Sequence, residues 1–227
     1  MSLCLAIATR KEYRALLSPL GAPAVPPDGQ PVSWKRGGRE MSLLLTGVGP
    51  VAAAATLGRH IGAGHVTGVV CLGVAGSYDL SQAPLGTPVV ANAEVFPEYG
   101  LRRADGIEPQ ALGFPQLTVG GEAVYDRLDL DPRHAAAAMG LCLPAELRQG
   151  TFATVSGVTT GVKPHGRDGL LAENMEGFAL ALACRLAGIP FLELRTISNK
   201  VGARPPRDWD LSGALTALAG ITARLLA

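Results

Sequence analysis

The stretch Glu173–Asn199 reads ENMEGFALALACRLAGIPFLELRTISN, and its pattern predicts a helix, a tight turn and a strand. Residues 178–187 are apolar on nearly every face, which indicates a helix that is buried rather than amphipathic. Gly188 suits a helix C-cap, and Pro190 prevents the helix from continuing. The apolar run that begins at Phe191 then forms the strand.

Polar residues stand at the ends of these two elements. Glu176 lies at the start of the helix, and Ser198 and Asn199 close the strand. In open α/β sheets, ligands bind at the carboxyl ends of strands. We therefore expect Glu176 and Asn199 to face one cleft.

The rest of the chain alternates strands with helices, without repeats or linkers. This alternation predicts a single α/β domain over residues 1–227, with a central mixed twisted sheet flanked by helices. A length of 227 residues fits one such domain. Strands are predicted at 3–8, 32–36, 40–46, 66–73, 86–95 and 149–155, and helices at 10–20, 51–61, 133–139 and from 211 to 226.

Composition narrows the class of protein. Hydrophobic residues make up 48% of the chain, charged residues 17%, and the formal net charge is +1. No basic stripe suggests nucleic acid, and no apolar run is long enough for a membrane span. The N-terminal segment resembles a first strand and not a signal peptide. The cysteines are far apart in apolar contexts, which predicts buried free thiols in a cytoplasmic protein. They are Cys4, Cys71, Cys142 and Cys184.

Three segments place small or acidic residues just after strands. Glu12 is either an acid favoured by the helix dipole or a catalytic carboxylate. The turn at 46–50, TGVGP, either binds a phosphate or allows close backbone packing. The segment 73–77, GVAGS, either lets a flat ligand approach the backbone or forms a plain turn. Each alternative is open at this point.

Taken together, these motifs resemble those of the nucleoside phosphorylase and nucleosidase superfamily. The resemblance covers most of the chain and implies the superfamily's fold. Its most specific part is the Met-Glu pair at the helix start with the Arg-x-Ile-Ser-Asn run in the following strand. The matching segments are Ala8–Glu12, Thr46–Gly49, Gly73–Gly76, Asn174–Gly177 and Arg195–Asn199.

Within the superfamily, the motifs favour water over phosphate as the nucleophile. The early Gly-Asp-Pro-x-Arg segment of one phosphorylase branch is absent, and Val74 stands where a phosphate-binding Ser or Thr is often found. The chain is similar to two nucleosidase families, methylthioadenosine/S-adenosylhomocysteine nucleosidase and futalosine hydrolase. Asn199 favours the second, because the adenine-specific enzyme has Asp there. An amide donates hydrogens to O6 and N7 of hypoxanthine, whereas an ionised carboxylate repels O6.

The resemblance assigns roles around the glycosidic bond of the substrate, futalosine. Glu12 is implied to be the general base that deprotonates the attacking water. Glu176 is implied to bind the ribose hydroxyls, and Met175 to pack on the sugar. Asn199 is implied to stabilise the departing hypoxanthine.

The resemblance also implies the surroundings of the base and the sugar. Arg195 supports the site, either by orienting Asn199 or by pairing with a core acid. No metal or organic cofactor is implied, and at least a homodimer is expected. The purine slot is implied to be formed by Ala75, Gly76, Thr159 and Thr160. The candidate cations for the carboxyphenyl tail of futalosine are Arg102, Arg103, Lys163 and Arg204.

Other functions fit the same fold. The nearest alternatives are methylthioadenosine/S-adenosylhomocysteine nucleosidase and purine nucleoside phosphorylase. A non-catalytic nucleoside-binding module is a different class, and it would have no need of Glu12. A further possibility is that the acids at 12 and 176 are surface residues and that Asn199 only caps a strand.

Overall fold

The computed structural model describes residues 2–64, 66–104, 106–158, 169–203 and 208–227. The helices are α1 (Arg10–Leu17), α2 (Pro50–Gly62), α3 (Pro132–Ala138), α4 (Gly177–Ala187) and α5 (Leu211–Leu225). The strands are β1 (Ser2–Ile7), β2 (Val32–Arg36), β3 (Arg39–Leu45), β4 (Val66–Ser77), β5 (Pro88–Val95), β6 (Leu101–Arg102), β7 (Ile107–Glu108), β8 (Leu117–Val119), β9 (Glu122–Val124), β10 (Arg127–Asp129), β11 (Arg148–Thr154), β12 (Leu170–Asn174) and β13 (Phe191–Lys200).

The central sheet is mixed and partly closed. Across the described residues its strands run in the order β10-β5-β11-β12-β4-β1-β3-β2, and β13 pairs with both β4 and β5. Strands β4, β12, β11, β5 and β13 therefore close into a ring. Closure leaves these five strands without a free edge and directs alternate side chains of each strand to the inside of the ring.

Helices cover both faces of the open part of the sheet. Strand β1 is buried on both sides, because Leu5 packs in the cluster beneath α1 and α5 while Ala6 packs in the cluster beneath α2 and α4. A strand buried on both faces is typical of parallel pairing, and β1 pairs in parallel with β3 and β4. A third apolar cluster, which includes Phe152 and Ile197, fills the ring. This architecture confirms the predicted fold class.

Two predicted elements differ from those observed, and β12 and the short strands β6 to β10 were not predicted. Helix α1 ends at Leu17, and the predicted last turn, Ser18–Leu20, is a 3-10 helix because Pro19 cannot donate a backbone hydrogen bond. Strand β4 extends to Ser77, since the GVAGS segment pairs with β13 instead of turning. Strand β12 was not predicted, and it places Glu173 in a strand, ahead of the helix.

The cysteine prediction is confirmed at three positions and wrong at one. Cys4, Cys71 and Cys184 are buried free thiols, and burial raises the pKa of Cys4 to about 12. Cys142 is also free but is exposed, in the segment that follows α3. Among the described helices, none is long and apolar enough to cross a membrane.

Candidate active site

A cavity of about 360 Å³ opens where β1, β4, β12 and β13 end. This volume lies within the usual range for small-molecule sites. The cavity brings together seven of the nine predicted site residues, and the other two, Thr159 and Thr160, lie outside the described residues. The seven are Glu12, Ala75, Gly76, Met175, Glu176, Arg195 and Asn199.

Glu12 is held rigidly at the first turn of α1. Thr9 caps the helix, and its backbone N–H and hydroxyl both donate to Glu12 Oε2, at 3.1 and 2.7 Å. The backbone N–H of Val74 donates to Oε1 at 3.1 Å. Burial raises the pKa of Glu12 above its ordinary value, while the Thr9 hydrogen bond and the Arg195 charge lower it in part. The capping acid is therefore also a buried carboxylate that lines a cavity.

Glu176 lies just before α4 and is 4% exposed. Its Oε1 accepts a hydrogen bond from the backbone N–H of Gly49 at 3.2 Å, and its Oε2 accepts from both terminal nitrogens of Arg195 at 3.3 Å. The helix is capped by Asn174, whose Oδ1 accepts from the backbone N–H groups of Glu176 and Gly177 at 2.9 and 2.7 Å. The carboxylate of Glu176 therefore does not cap its own helix and can face the cavity.

Arg195 connects the site to the interior of the ring. Its side chain is 2% exposed, and Nε donates to Glu193 Oε1 at 2.9 Å. Its terminal nitrogens bind Glu176. The sequence left two roles open for Arg195, orienting Asn199 or pairing with a core acid. Its contacts favour the second. A side chain on Gly73 would overlap the guanidinium, which explains a glycine at that point of β4.

A β-bulge presents two consecutive residues to the cavity. The pairing of β13 with β4 shifts at Ser198, so that Ile197 faces Ala75 and Asn199 faces Gly76. Neighbouring strand residues normally point to opposite faces, but a bulge re-aims them, and both Ser198 and Asn199 line the cavity.

The amide of Asn199 is oriented by its neighbours. The Ser198 hydroxyl donates to Asn199 Oδ1 at 2.9 Å, and Asn199 Nδ2 donates to the carbonyl of Lys200 at 3.1 Å. One amide hydrogen is thus already bonded, which refines the expectation that both are available to the base. A Cβ on Gly76 would stand 2.9 Å from Nδ2, so only glycine leaves this amide its space.

Several cavity residues were not anticipated from the sequence. Lys11 is an exposed cation at the cavity, one residue before the general-base candidate. Val48, Val158 and Trp209 are apolar and partly exposed at the same cavity. Lys11 and Val48 lie within the matched segments Ala8–Glu12 and Thr46–Gly49, but the motifs gave neither residue a role, and only the fold shows that they line the cavity. In the described part of the chain, no group of His, Cys, Asp and Glu is arranged to hold a metal ion.

The candidate cations for a substrate tail are only partly placed. Arg103 forms an ion pair with Glu108 at 2.8 Å, in the small hairpin of β6 and β7. Lys163 and Arg204 lie outside the described residues. Because Lys11 is an exposed cation that lines the cavity, we add it to the four candidates that the sequence suggested.

Comparison with known proteins identifies the family. The family model described as Phosphorylase superfamily matches residues 3–227. A futalosine hydrolase from Thermus thermophilus is 34% identical over 220 residues, which cover 93% of this chain and 94% of that protein. The chain belongs to the futalosine hydrolase family.

Other relatives agree with this family. A futalosine hydrolase from Streptomyces coelicolor is 33% identical over 233 residues, which cover 99% of this chain and 95% of that protein. Among solved structures, futalosine hydrolase of Helicobacter pylori has a TM-score of 0.72 at 18% identity, and the likeness covers 99% of this chain and 97% of that one. A methylthioadenosine/S-adenosylhomocysteine nucleosidase from the same organism has the same TM-score and identity. These structures show the shared fold, and the sequence relatives decide the family.

Proposed function

We propose that this protein hydrolyses the N-glycosidic bond of futalosine and releases hypoxanthine and dehypoxanthine futalosine in bacterial menaquinone biosynthesis. One observation carries the proposal: two buried carboxylates and one oriented amide line a single cavity. Membership of the futalosine hydrolase family gives the substrate. The roles of individual residues are those that the family resemblance implies, and the geometry of the cavity supports them.

Glu12 acts as the general base. It takes a proton from a water molecule, the water oxygen forms a bond to C1′ of the ribose, and the electrons of the C1′–N9 bond leave with the base. A base is most effective when its pKa lies near the working pH. Burial raises the pKa of Glu12, which makes it a stronger base than an exposed glutamate.

Glu176 binds the ribose 2′- and 3′-hydroxyls. Positive charge grows on the sugar ring as the glycosidic bond breaks, and hydrogen bonds from the hydroxyls to a carboxylate become stronger as that charge grows. Arg195 and the Gly49 amide hold the two oxygens of Glu176 in place. Met175, which is half-buried at the cavity, packs on the sugar.

Asn199 stabilises the departing hypoxanthine. Its free amide hydrogen meets the base edge that carries O6 and N7, and Ser198 fixes which way the amide points. An amide cannot give up a proton, so protonation of N7 comes through water or is incomplete. Ala75 and Gly76 provide a flat wall beside Asn199. The proposal also keeps Thr159 and Thr160, which lie outside the described residues, as base-binding residues.

Two contacts favour water over phosphate as the nucleophile. The backbone N–H of Val74 donates to Glu12, and that of Gly49 donates to Glu176. A free backbone N–H at a helix N-terminus, such as that of Gly49 before α2, binds phosphate in other proteins. Here both are bonded to catalytic carboxylates.

The proposal places the enzyme in the cytoplasm. It also includes a second copy of the chain that closes the cavity. Val48 and Val158 line the cavity and are 53% and 46% exposed. Burying such apolar surface against another protomer is favourable, by about 25 cal/mol per Å². A homodimer or higher homo-oligomer therefore accompanies the activity.

The test is to offer futalosine, methylthioadenosine and inosine, with and without phosphate, and to identify the released base by chromatography. We expect hypoxanthine from futalosine at a rate that phosphate does not change. Adenine as the preferred product would contradict the substrate assignment, and a phosphate-dependent rate would indicate a phosphorylase instead.

A further inference from the structure

Two glutamates lie inside the ring of strands, beneath the ribose-binding carboxylate. Glu94 on β5 and Glu193 on β13 are both 0% exposed. Neither lines the cavity, and neither has a role in the reaction described above. Two buried carboxyl groups at one place are costly unless each oxygen has a partner. The partners of these carboxyl oxygens therefore indicate where a proton is held.

We propose that Glu94 and Glu193 hold one proton between them, and that this shared proton positions Arg195 and, through it, the ribose-binding carboxylate of Glu176. Both glutamates are then positioning residues, since neither touches the substrate. The inference rests on the proposed function, because it assigns Glu176 to the ribose.

The hydrogen-bond donors around the pair indicate the proton. Glu94 accepts from Asn174 Nδ2 at 2.6 Å and from the Thr154 hydroxyl at 2.8 Å. Glu193 Oε1 accepts from Arg195 Nε at 2.9 Å. Glu193 Oε2 is buried, and no side chain or backbone group in the described ranges donates to it. A proton on Glu94 supplies that missing donor, because the carboxyl oxygens of Glu94 and Glu193 lie together beside Gly177, where an added Cβ would overlap both groups.

The local charge balance leads to the same result. Arg195 is a buried cation with the carboxyl groups of Glu12, Glu176 and Glu193 around it, and Glu94 lies next to Glu193. One positive charge cannot balance four ionised carboxylates away from water. Burial, and then the charge of Glu193, raise the pKa of Glu94 well above its ordinary value. The neighbouring Cys71 thiol adds no negative charge, because burial raises its pKa too.

The backbone leaves room for the pair. Gly177 is the first residue of α4, and a Cβ on it would overlap the carboxyl oxygens of both Glu94 and Glu193. Helix α4, which begins directly after Glu176, therefore lies against the two acids.

Two routes connect the pair to Glu176. Glu193 holds Nε of Arg195, which leaves both terminal nitrogens of the guanidinium to bind Glu176 Oε2. Glu94 holds the amide of Asn174, whose oxygen binds the backbone N–H of Glu176. If the shared proton is lost, two negative charges face each other and both routes are disturbed.

The first experiment tests the proton without using activity. Infrared spectroscopy of the wild-type protein at neutral pH should show the carbonyl stretch of a buried protonated carboxylic acid. The band should disappear in Glu94→Gln. The matched control is Glu146→Gln, which changes an exposed glutamate paired with Arg224 and should leave the band unchanged. Absence of the band from the wild-type spectrum would overturn the shared proton.

The second experiment tests the positioning role. The measured quantity is the ratio of kcat/KM for futalosine to that for its 2′-deoxy analogue, which does not depend on how much protein is folded. In Glu193→Gln we expect this ratio to fall about tenfold, the effect of one weakened charge-assisted hydrogen bond. Equal losses for the two sugars would show a merely structural role and overturn the positioning.

A third pair of variants keeps the test decisive if Glu193→Gln does not fold. Glu94→Leu removes the donor to Glu193 and should lower the same ratio, whereas Glu94→Gln provides an amide hydrogen in its place and should restore it. Equal ratios in the two variants would contradict the inference. If the wild-type protein releases no hypoxanthine from futalosine, the proposed function fails, while the infrared band still decides the shared proton.

Discussion

Glu12 combines a structural and a chemical task in one side chain. As the third residue of α1 it completes a capping box with Thr9, and such caps typically contribute about 1 kcal/mol. Its carboxylate also faces the cavity. The capping bonds restrict it to one position, and a general base must be held within hydrogen-bonding reach of its water.

The first prediction concerns Glu12→Gln. The amide keeps the shape of the side chain but cannot accept a proton, so kcat should fall by roughly 10² to 10⁴. Hypoxanthine release from futalosine measures the loss, and the temperature of unfolding shows whether the fold survives. Retention of full turnover would leave a binding module as the better description.

The second prediction concerns the pH dependence of the wild-type enzyme. Glu12 must be ionised to act, and burial raises its pKa above the ordinary value of 4.5. The logarithm of kcat/KM should therefore fall with decreasing pH through a pKa above 4.5, and be level at higher pH. A profile of initial rates against pH measures this limb. An acid limb at or below 4.5 would show that burial does not control the base.

The third prediction concerns Asn199→Asp. The carboxylate would face O6 and N7 of hypoxanthine with no hydrogen to donate, and hypoxanthine release should fall by about 10² to 10³. Asn92→Asp, an exposed change on β5, is the matched control and should leave the rate unchanged. Unchanged turnover in Asn199→Asp would remove the role given to this amide.

At the scale of elements, the approach of α4 to the ring decides where Glu176 stands. Gly177 begins the helix over two buried carboxyl groups, and Asn174 at the end of β12 caps it. The bulge in β13 does the same for Asn199, since it turns the strand end toward the cavity. Both devices lie within the single stretch from which the sequence analysis began.

The fourth prediction compares two glycines in helices. Gly177→Ala places a methyl group against Glu94 and Glu193, and should lower the free energy of unfolding by about 1 to 3 kcal/mol. Gly220→Ala in α5 meets open space and should raise it by about 0.5 to 1 kcal/mol, because alanine is the better helix former. Denaturant titrations measure both. Equal effects of the two changes would show that the contact with the acids is not tight.

At the scale of the whole molecule, buried acids make stability depend on pH. The pKa of Glu94 in the folded protein is raised well above the 4.5 of an ordinary glutamate. A carboxyl group of this kind stabilises the folded state fully below about pH 4.5, and this contribution is lost as the pH rises toward the folded pKa.

The fifth prediction follows from this loss of stability with rising pH. As the pH rises above about 4.5, the free energy of unfolding of the wild type should decline relative to that of Glu94→Gln, by up to about 1.4 kcal/mol per pH unit for one proton. Denaturant midpoints measured from pH 5 to pH 8 check it. Parallel curves for the two proteins would mean that Glu94 is already ionised in the folded state.

The sequence by itself determined the alternation of strands and helices, the family motifs, and the polar ends at Glu176 and Asn199. These are local signals: apolar periodicity, glycine and proline at element ends, and short motifs. Lys11 was missed as a cavity residue, because the matched segment Ala8–Glu12 does not show where its side chain lies, and β12 was missed because it is a short run beside a loop.

Only the tertiary structure decided how these residues act together. Arg195 binds Glu176 because β13 closes the ring beside β4, a long-range pairing that no local pattern specifies. Glu94 and Glu193 are far apart along the chain, and their shared burial exists only once β5 and β13 pair. Hydrogen bonds and pKa values depend on distances in space, whereas a sequence pattern records only distances along the chain.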